Sequence, residues 1–453
     1  MTTSTGSWRE LLGRRHLGTA AVLASGVGLY ATNEFLTISL LPSAVADIGG
    51  RRFYAWVTTV YLVGSVVAAT TVNPMLLRCG PRLAYLLTLC GFVAGTVGCA
   101  LAPGMAVMLV ARTVQGAAGG LLAGLGYGVI NGALPESLWT RASALVSAMW
   151  GVSTLLGPAA GGLFAQFGVW RWAFGSLAVA ATATVALVPG ALPPGRPAGG
   201  AVPTSRVPVW SLILLGAAAL AVSVAGVQRT TIATAALLAA GAGLAGCFLV
   251  VDRMATAAVL PRAAFRPGPL KWMYVTIGLL MAATMVDMYV PLLGQRLAHL
   301  VPVTAGFLGA VLAVGWTLSE ILSASVGRQR VAARLVTVAP LVMATGLALA
   351  AVTHRIWPVA LFVAGAGVGI AWPHLSAWIM GAVADPVDAG AAAAAINTVQ
   401  LISGAFGAGL AGVVVNATRG GDAAAARWLF AVFAVVAALG AVSTLLLRCA
   451  RSA

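Results

Sequence analysis

The chain has 453 residues, of which 60% are hydrophobic and 8% are charged, and its mean hydropathy is +0.98. These values lie outside the range of soluble globular proteins and indicate a polytopic membrane protein. The formal net charge of +16 comes from basic residues that stand singly or in small groups between apolar runs. This distribution predicts a lipid bilayer as the partner of the chain and argues against a nucleic-acid-binding surface.

Apolar runs between charged, glycine, proline and turn residues predict fourteen membrane-spanning helices, each of about 20 residues. The basic N-terminal segment leads into an apolar run with no convincing cleavage site, so we interpret this run as the first span and not as a signal peptide. The predicted spans are 17–42, 54–75, 83–102, 105–130, 142–166, 172–190, 208–227, 231–251, 272–294, 302–324, 335–353, 356–383, 389–416 and 426–447.

Lys and Arg in the short connections predict the orientation of these spans. With a cytoplasmic N-terminus the inner segments hold 17 of these residues and the outer loops hold 8, while Arg112 lies inside a span. Because the number of spans is even, both termini are predicted to be cytoplasmic. The high content of alanine, glycine and arginine is typical of a GC-rich bacterial genome, which predicts the bacterial plasma (inner) membrane as the location.

The longest break between spans, VPGALPPGRPAGGAVPTSRVP at 188–208, is rich in proline and glycine and predicts a linker. It separates six spans from eight. A short internal repeat accompanies it: LRCGPRL (77–83) and QRVAARL (329–335) share Arg-x-x-x-Arg-Leu at two predicted cytoplasmic turns. Repeated halves are typical of transporters, whose binding site lies between the halves near the middle of the membrane.

Two spans carry unusual residues. LVARTVQGAAGG (109–120) places Arg112 and Gln115 one turn apart inside the fourth span, followed by Gly116. A charged residue in a span normally faces a partner or a wet cavity, so Arg112 is either a functional residue or a member of a packing ion pair. GVSTLLGPAAGG (151–162) places proline between small residues, a pattern that fits a kinked packing helix as well as a functional one. Its candidate residues are Gly157, Pro158, Gly161 and Gly162.

These two sets resemble motifs B and C of the major facilitator superfamily, and motif C is associated with antiporters. NPMLLRCGPRL (73–83) resembles motif A through Arg78, Gly80 and Arg82, whereas Asn73 and Leu77 stand where the family usually has glycine and aspartate. We therefore carry over only the turn and its arginines. The resemblance implies an all-α integral membrane protein with the major facilitator fold.

VWRWAF (169–174), VVDRMATAAVLPRAAF (250–265) and GAAAAAINTVQLISGAFG (390–407) further resemble the fourteen-span drug:proton antiporter group. In that group two inserted helices join two six-helix bundles. The resemblance therefore implies the following domains: an N-terminal bundle at 1–190, a cytoplasmic linker at 191–207, two inserted helices at 208–251 and a C-terminal bundle at 252–453.

Three acids fall inside predicted spans and are candidates for proton coupling: Glu34, Asp287 and Glu320. Burial of a carboxyl brings its protonation toward the physiological range. Glu34 is the first candidate, because polar residues surround it in LYATNEFLTISLLP, although a static pair with Arg112 is the alternative. Asp287 could instead be a solvated acid at the outer rim.

Glu320 has its own structural alternative, an ion pair with Arg328 or Arg330. His374 could relay protons because its reference pKa is near 6.5, or could be a neutral, hydrogen-bonded residue. The predicted substrate cavity combines aromatic residues, which could stack on an aromatic or cationic compound, with polar ones. These cavity candidates are Tyr30, Asn33, Trp150, Trp316, Trp372, Asn397 and Gln400.

The sequence has neither a phosphate-binding glycine and lysine signature nor a Cys/His cluster with metal spacing, so we expect no enzyme activity, no cofactor and no metal. The hypothesis is a monomeric, proton-coupled exporter of small amphipathic compounds, drugs or antibiotics, that works by alternating access. The alternatives are a lipid or glycolipid flippase, an exporter of one dedicated metabolite, and a nontransporting membrane sensor.

Overall fold

The computed structural model describes residues 7–194, 208–228, 230–255, 258–260, 262–266, 268–326, 328–382 and 386–452. These residues form helices and connections, and no β-strand is found among them. The chain divides into two compact units. Unit 1 comprises Met1–Gly50 and Val60–Val207, and unit 2 comprises Arg51–Thr59 and Pro208–Ala453.

The helices alternate with short connections along the whole described chain. Their bounds are α1 Trp8–Leu11, α2 Leu17–Ile48, α3 Tyr54–Ala69, α4 Val72–Ala100, α5 Met105–Gly128, α6 Ile130–Ala133, α7 Glu136–Gln166, α8 Arg171–Ala191, α9 Val209–Ala225, α10 Thr231–Met254, α11 Pro269–Thr284, α12 Val290–Leu297, α13 Pro302–Ala324, α14 Gln329–Val352, α15 Trp357–Gly381, α16 Pro386–Ala417 and α17 Gly421–Ser452.

Each predicted span falls on one of these helices or on consecutive pieces of helix. Twelve segments of the described chain are long and apolar enough to cross a membrane. Two predicted spans are not among the twelve. Helix α2 is long, but Asn33 and Glu34 lower its mean hydropathy, and α9 is a shorter apolar helix of 17 residues. Most of the predicted linker, residues 195–207, lies outside the described residues.

The turn predicted between the second and third spans lies inside α4. Gly80 has a φ of +70°, which interrupts the helix, and Pro81 begins the next segment. A residue with a Cβ rarely adopts this backbone conformation, so glycine suits the turn for a steric reason. The resemblance to motif A therefore located a real break in the helix.

The ninth predicted span, 272–294, is not one continuous helix. Helix α11 ends at Thr284, residues Met285–Tyr289 form a 3-10 turn, and α12 continues from Val290. Pro291 is the second residue after the turn. Since proline lacks a backbone N–H and crowds the preceding turn, a tightened segment before it is physically reasonable. This break holds the buried Asp287.

In unit 1, helix α2 packs against α5, α7 and α8, and α4 packs against α5 and α8. Tyr85, Phe92, Leu122 and Val146 belong to the buried core between these helices. This arrangement surrounds the polar middle of α2, which contains Glu34, with helices on several sides.

In unit 2, helix α15 packs against α13 and α14, and α17 packs against α11 and α14. Helices α9 and α10 form a pair, and α9 also contacts α16. The carboxylate of Asp252, at the end of α10, accepts backbone N–H bonds from Val259 (2.7 Å) and Leu260 (2.9 Å). This buried acid therefore fixes the chain that follows the α9–α10 pair.

A common pattern of glycine contacts appears in both units. A Cβ on Gly116 of α5 would lie 2.7 Å from the Cα of Tyr61 on α3, and a Cβ on Gly365 of α15 would lie 2.8 Å from the carbonyl carbon of Leu312 on α13. Conversely, a Cβ on Gly64 of α3 would contact the α5 backbone, and a Cβ on Gly315 of α13 would contact the α15 backbone. Two helix pairs with the same packing indicate an internal structural repeat.

Candidate functional site

A buried guanidinium organises the middle of unit 1. Arg112 is 1% exposed, and its Nη1 donates to Gln115 Oε1 (2.6 Å), Thr37 Oγ1 (3.2 Å) and Asn33 Oδ1 (3.3 Å). Gln115 Nε2 in turn donates to Thr96 Oγ1 at 2.8 Å. The predicted residues Arg112, Gln115 and Asn33 therefore belong to one network that joins α2, α4 and α5.

Aromatic rings close one side of this network. The Arg112 guanidinium carbon lies 4.1 Å from the centre of the Tyr61 ring, which is within cation–π range. Tyr30 stacks on Tyr61 with ring centres 5.7 Å apart, and Trp150 meets Tyr30 edge-on at the same separation. The predicted cavity residues Tyr30 and Trp150 thus lie beside Arg112, with Tyr61 between them and the charge.

Glu34 lies next to Asn33 on α2 and is partly buried. Its charge acts on Arg112, Tyr30 and Tyr61. Two further groups at this place are unsatisfied: Asn33 Nδ2 and the Tyr61 hydroxyl are buried and have no hydrogen-bond partner within the described chain. Such donors can bind water or a guest molecule.

The glycines of the motif C-like segment hold α7 against α2 beside Glu34. A Cβ on Gly157 would lie 2.9 Å from the backbone nitrogen of Leu36, and one on Gly161 would lie 3.0 Å from the Cβ of Ser39. Pro158 and Gly162 are buried in the same helix, which runs unbroken from Glu136 to Gln166. The segment therefore permits a close helix contact next to the acid.

The two arginines of the motif A-like turn have different surroundings. Arg82 donates from Nε to the carbonyl of Leu192 (2.9 Å) and from Nη2 to the carbonyl of Pro189 (2.6 Å), whereas Arg78 is exposed. Carbonyls in the last turn of a helix have no partner within the helix. Arg82 supplies partners for them at the end of α8.

We expect Arg82→Ala to lower the stability of the chain by about 1 kcal/mol, because two carbonyls at the end of α8 lose a charged donor. The thermal unfolding midpoint of purified protein measures this loss. Arg78→Ala removes the same charge four residues earlier without removing these bonds, so its midpoint should equal that of the unchanged protein. Equal midpoints for both variants would contradict a capping role for Arg82.

In unit 2 the predicted candidates lie mainly on α13 and α15. Trp316 and Trp372 meet edge-on with ring centres 5.2 Å apart, and Glu320 follows Trp316 by one helical turn. Glu320 is partly buried and forms no ion pair with Arg328 or Arg330 in the described chain. The structure thus brings one acid and two indoles together, and the expected alternative pairing is not found.

His374 on α15 is buried and bonded to Ser323 on α13, with Nε2 and Oγ 3.0 Å apart. The Ser323 hydroxyl donates to the carbonyl of Ile370 at 2.7 Å. Its hydrogen is therefore used, so His374 Nε2 is the donor of the His–Ser bond. This leaves Nδ1 as the atom of His374 that can gain or lose a proton.

The other predicted residues of unit 2 lie in the 3-10 turn and on α16. Asp287 lies in the 3-10 turn, where its backbone carbonyl is near Gly309 of α13. On α16, Asn397 is exposed and Gln400 is partly buried. No group of three or more metal-ligating side chains is found among the residues that the structure describes.

Sequence reasoning missed Tyr61 and Thr96, which complete the Arg112 network from α3 and α4. A single tyrosine or threonine in an apolar span is ordinary, and its role follows only from the contacts between helices. The glycine at position 95 is an indirect sign that α4 approaches Gln115 closely, since a Cβ there would lie 2.8 Å from the Cα of Gln115. Ser323, the partner of His374, was missed for the same reason.

The profile of the Major Facilitator Superfamily matches residues 23–408 of this sequence. The chain belongs to the Major Facilitator Superfamily. A probable multidrug-efflux transporter of Mycobacterium tuberculosis is 61% identical to it, over 98% of this chain and 96% of the relative. The multidrug transporter protein MdtP of Bacillus subtilis is 24% identical over 84% of this chain and 72% of that protein.

Two solved transporter structures have the same fold. A D-xylose–proton symporter matches with a TM-score of 0.66 at 14% identity, over 96% of this chain and 97% of the symporter. The nucleoside transporter NupG matches with a TM-score of 0.60 at 14% identity, over 95% and 98%. At such identities the likeness concerns the fold alone. Family and fold are those of multi-pass membrane transporters.

Proposed function

We propose that the chain exports small amphipathic compounds, drugs or antibiotics, in exchange for protons. The observation that carries this proposal is the polar site in unit 1, where Glu34 lies with the buried Arg112, unsatisfied donors and stacked aromatic rings. The 61% identical relative is a probable multidrug-efflux transporter, which supports export of drugs over a flippase or a dedicated metabolite exporter.

The coupling follows from the electrostatics of a partly buried acid. An unpaired charge in apolar surroundings is costly, so Glu34 is stabilised by a proton, by the charge of Arg112 or by a cationic group of the substrate. Substrate and proton then compete for one carboxylate. The aromatic rings of Tyr30, Tyr61 and Trp150 supply the apolar contact that an amphipathic compound requires.

Alternating access requires that the inward and outward states differ in affinity for substrate and proton. In this proposal protonation of Glu34 from outside releases the substrate, and deprotonation toward the cytoplasm prepares the site again. Asp287, Glu320 and His374 are proposed as further proton sites in unit 2. Trp316, Trp372, Asn397 and Gln400 are proposed as the substrate-binding residues of unit 2.

The proposed membrane arrangement has fourteen spans, with α2 and α9 added to the twelve segments that meet the length and hydropathy requirements. The domains are an N-terminal bundle at 1–190, a linker at 191–207, two inserted helices at 208–251 and a C-terminal bundle at 252–453. The protein is a monomer in the bacterial plasma membrane, with both termini in the cytoplasm.

Accumulation of a panel of cationic, neutral and anionic dyes and antibiotics tests the function. Cells of a pump-deficient bacterial host that express the chain should accumulate less of the exported compounds than cells with an empty vector. An uncoupler should abolish this difference. Equal accumulation across the whole panel would overturn drug export, and export that survives the uncoupler would overturn proton coupling.

A further inference from the structure

A polar cavity of about 390 Å³ opens at one end of unit 2. Residues from three connections line it: Arg51 and Arg52 before α3, Gln228 between α9 and α10, and Thr418 before α17. All three connections are predicted outer loops. The connection between α9 and α10 belongs to the two helices proposed to be inserted, so the site depends on a part of the chain outside the two six-helix bundles.

The cavity carries an excess of positive charge. Asp422 pairs with Arg51 at 2.6 Å and with Arg296 at 3.3 Å. Arg52 makes no ion pair in the part of the chain that the structure describes. This group of side chains therefore contains one acid, Asp422, and three arginines. The guanidinium of the exposed Arg52 remains available to an anion.

Several contacts fix the walls of the cavity. Asn416 Nδ2 donates to the backbone carbonyl of Arg52 at 2.9 Å, and Trp56 Nε1 donates to the carbonyl of Ser223 at 2.9 Å. A Cβ on Gly226 would lie 3.0 Å from the backbone nitrogen of Val413, so the end of α9 packs closely on α16. Because these bonds hold the backbone on each side, the cavity exists before a ligand enters.

The cavity lies beside a helix that faces lipid. Helix α10 begins at Thr231, three residues after Gln228, and only 11% of its most apolar stretch is buried. Ile232 in its first turn is 84% exposed. In the proposed fourteen-span arrangement α10 crosses the membrane, and its exposed apolar residues would face hydrocarbon. A cavity at the start of this helix would then lie at the depth of the lipid headgroups.

We propose that this cavity binds the phosphate of an anionic lipid headgroup, with Arg52 as its principal contact. A guanidinium presents paired donors that match phosphate oxygens. The acyl chains would lie along the exposed face of α10. Inorganic phosphate offers the same kind of phosphate oxygens but has no acyl chains. This inference is independent of which compound the chain exports.

Titration of the delipidated full-length protein in detergent with phosphatidylglycerol tests the proposal, with native mass spectrometry to count bound lipid and the unfolding midpoint to report stabilisation. We expect phosphatidylglycerol to bind and stabilise the unchanged protein and phosphatidylcholine to do neither. Arg52→Gln should weaken phosphatidylglycerol binding by roughly tenfold, the effect of losing one charged hydrogen bond. Arg52→Lys should retain part of the affinity.

Arg355→Gln is the matched control, because it removes an exposed arginine from another predicted outer loop and should leave phosphatidylglycerol binding unchanged. The unfolding midpoint of lipid-free Arg52→Gln shows whether this variant folds normally. Unchanged phosphatidylglycerol binding by Arg52→Gln would overturn the site. If millimolar inorganic phosphate bound and stabilised the protein as well as the lipid does, the assignment to a lipid would be overturned.

Discussion

Replacing Gly116 by alanine is expected to separate α3 from α5 and to reduce the yield of folded protein severely. The added methyl would overlap the carbonyl oxygen of Tyr61 and lie 2.7 Å from the Cα of that residue. Both are backbone atoms, so no side-chain movement can relieve the overlap. We expect a loss of roughly 3 kcal/mol, at the upper end of the range for overpacking. The unfolding midpoint and the monodisperse fraction in gel filtration measure it.

Gly246→Ala is the control for Gly116→Ala. Gly246 also lies within a membrane helix, α10, but a Cβ there has no neighbour within 4 Å. Alanine has the higher helix propensity by about 1 kcal/mol, so this variant should be as stable as the unchanged protein or slightly more stable. If Gly116→Ala and Gly246→Ala had equal midpoints, the close α3–α5 contact would be wrong.

Arg112→Leu is expected to abolish export even when the protein is correctly inserted. The change leaves Asn33 Oδ1 and Gln115 Oε1 without their buried donor, which costs roughly 3 to 5 kcal/mol. It also removes the positive charge that acts on Glu34. Export of a compound identified by the accumulation panel, normalised to folded protein, should fall at least about tenfold.

Two milder variants, Arg112→Lys and Thr96→Val, should reduce export less than Arg112→Leu does. Arg112→Lys keeps a positive charge with several donors and should retain partial export. Thr96→Val removes the acceptor of Gln115 and the bond that the hydroxyl donates to the carbonyl of Phe92, but it leaves the guanidinium in place. We therefore expect a loss near 1 kcal/mol and a smaller fall in export. Normal export by Arg112→Leu would show that the guanidinium network serves neither folding nor transport.

The sequence predicted those features that depend on local composition. Apolar runs located the helices, and the resemblance to motif A placed a turn at Gly80 between two spans. Arg112 stood out because a charge inside a span is rare, and Gln115 was identified with it, whereas Asn33 was identified as a residue of the substrate cavity. The structure places all three in one hydrogen-bonded network.

Features that depend on contacts between helices could not be read from the sequence. Tyr61 and Thr96 look ordinary in their spans, and only the packing of α3, α4 and α5 brings them to Arg112. The 3-10 turn at Asp287 was missed because proline in a span is compatible with a continuous, kinked helix as well as with a break. The roles of Asp287, Glu320 and His374 stay predictions, since burial alone does not identify the group that carries the proton.

Proton release on substrate addition tests the coupling role of Glu34 most directly. Substrate added to purified protein in weakly buffered solution should release protons from the unchanged chain. Glu34→Gln should release none and should lose gradient-driven export. Glu10→Gln, which changes an exposed acid of α1, should behave like the unchanged protein. If Glu34→Gln released as many protons and exported at the normal rate, Glu34 would not be the coupling acid.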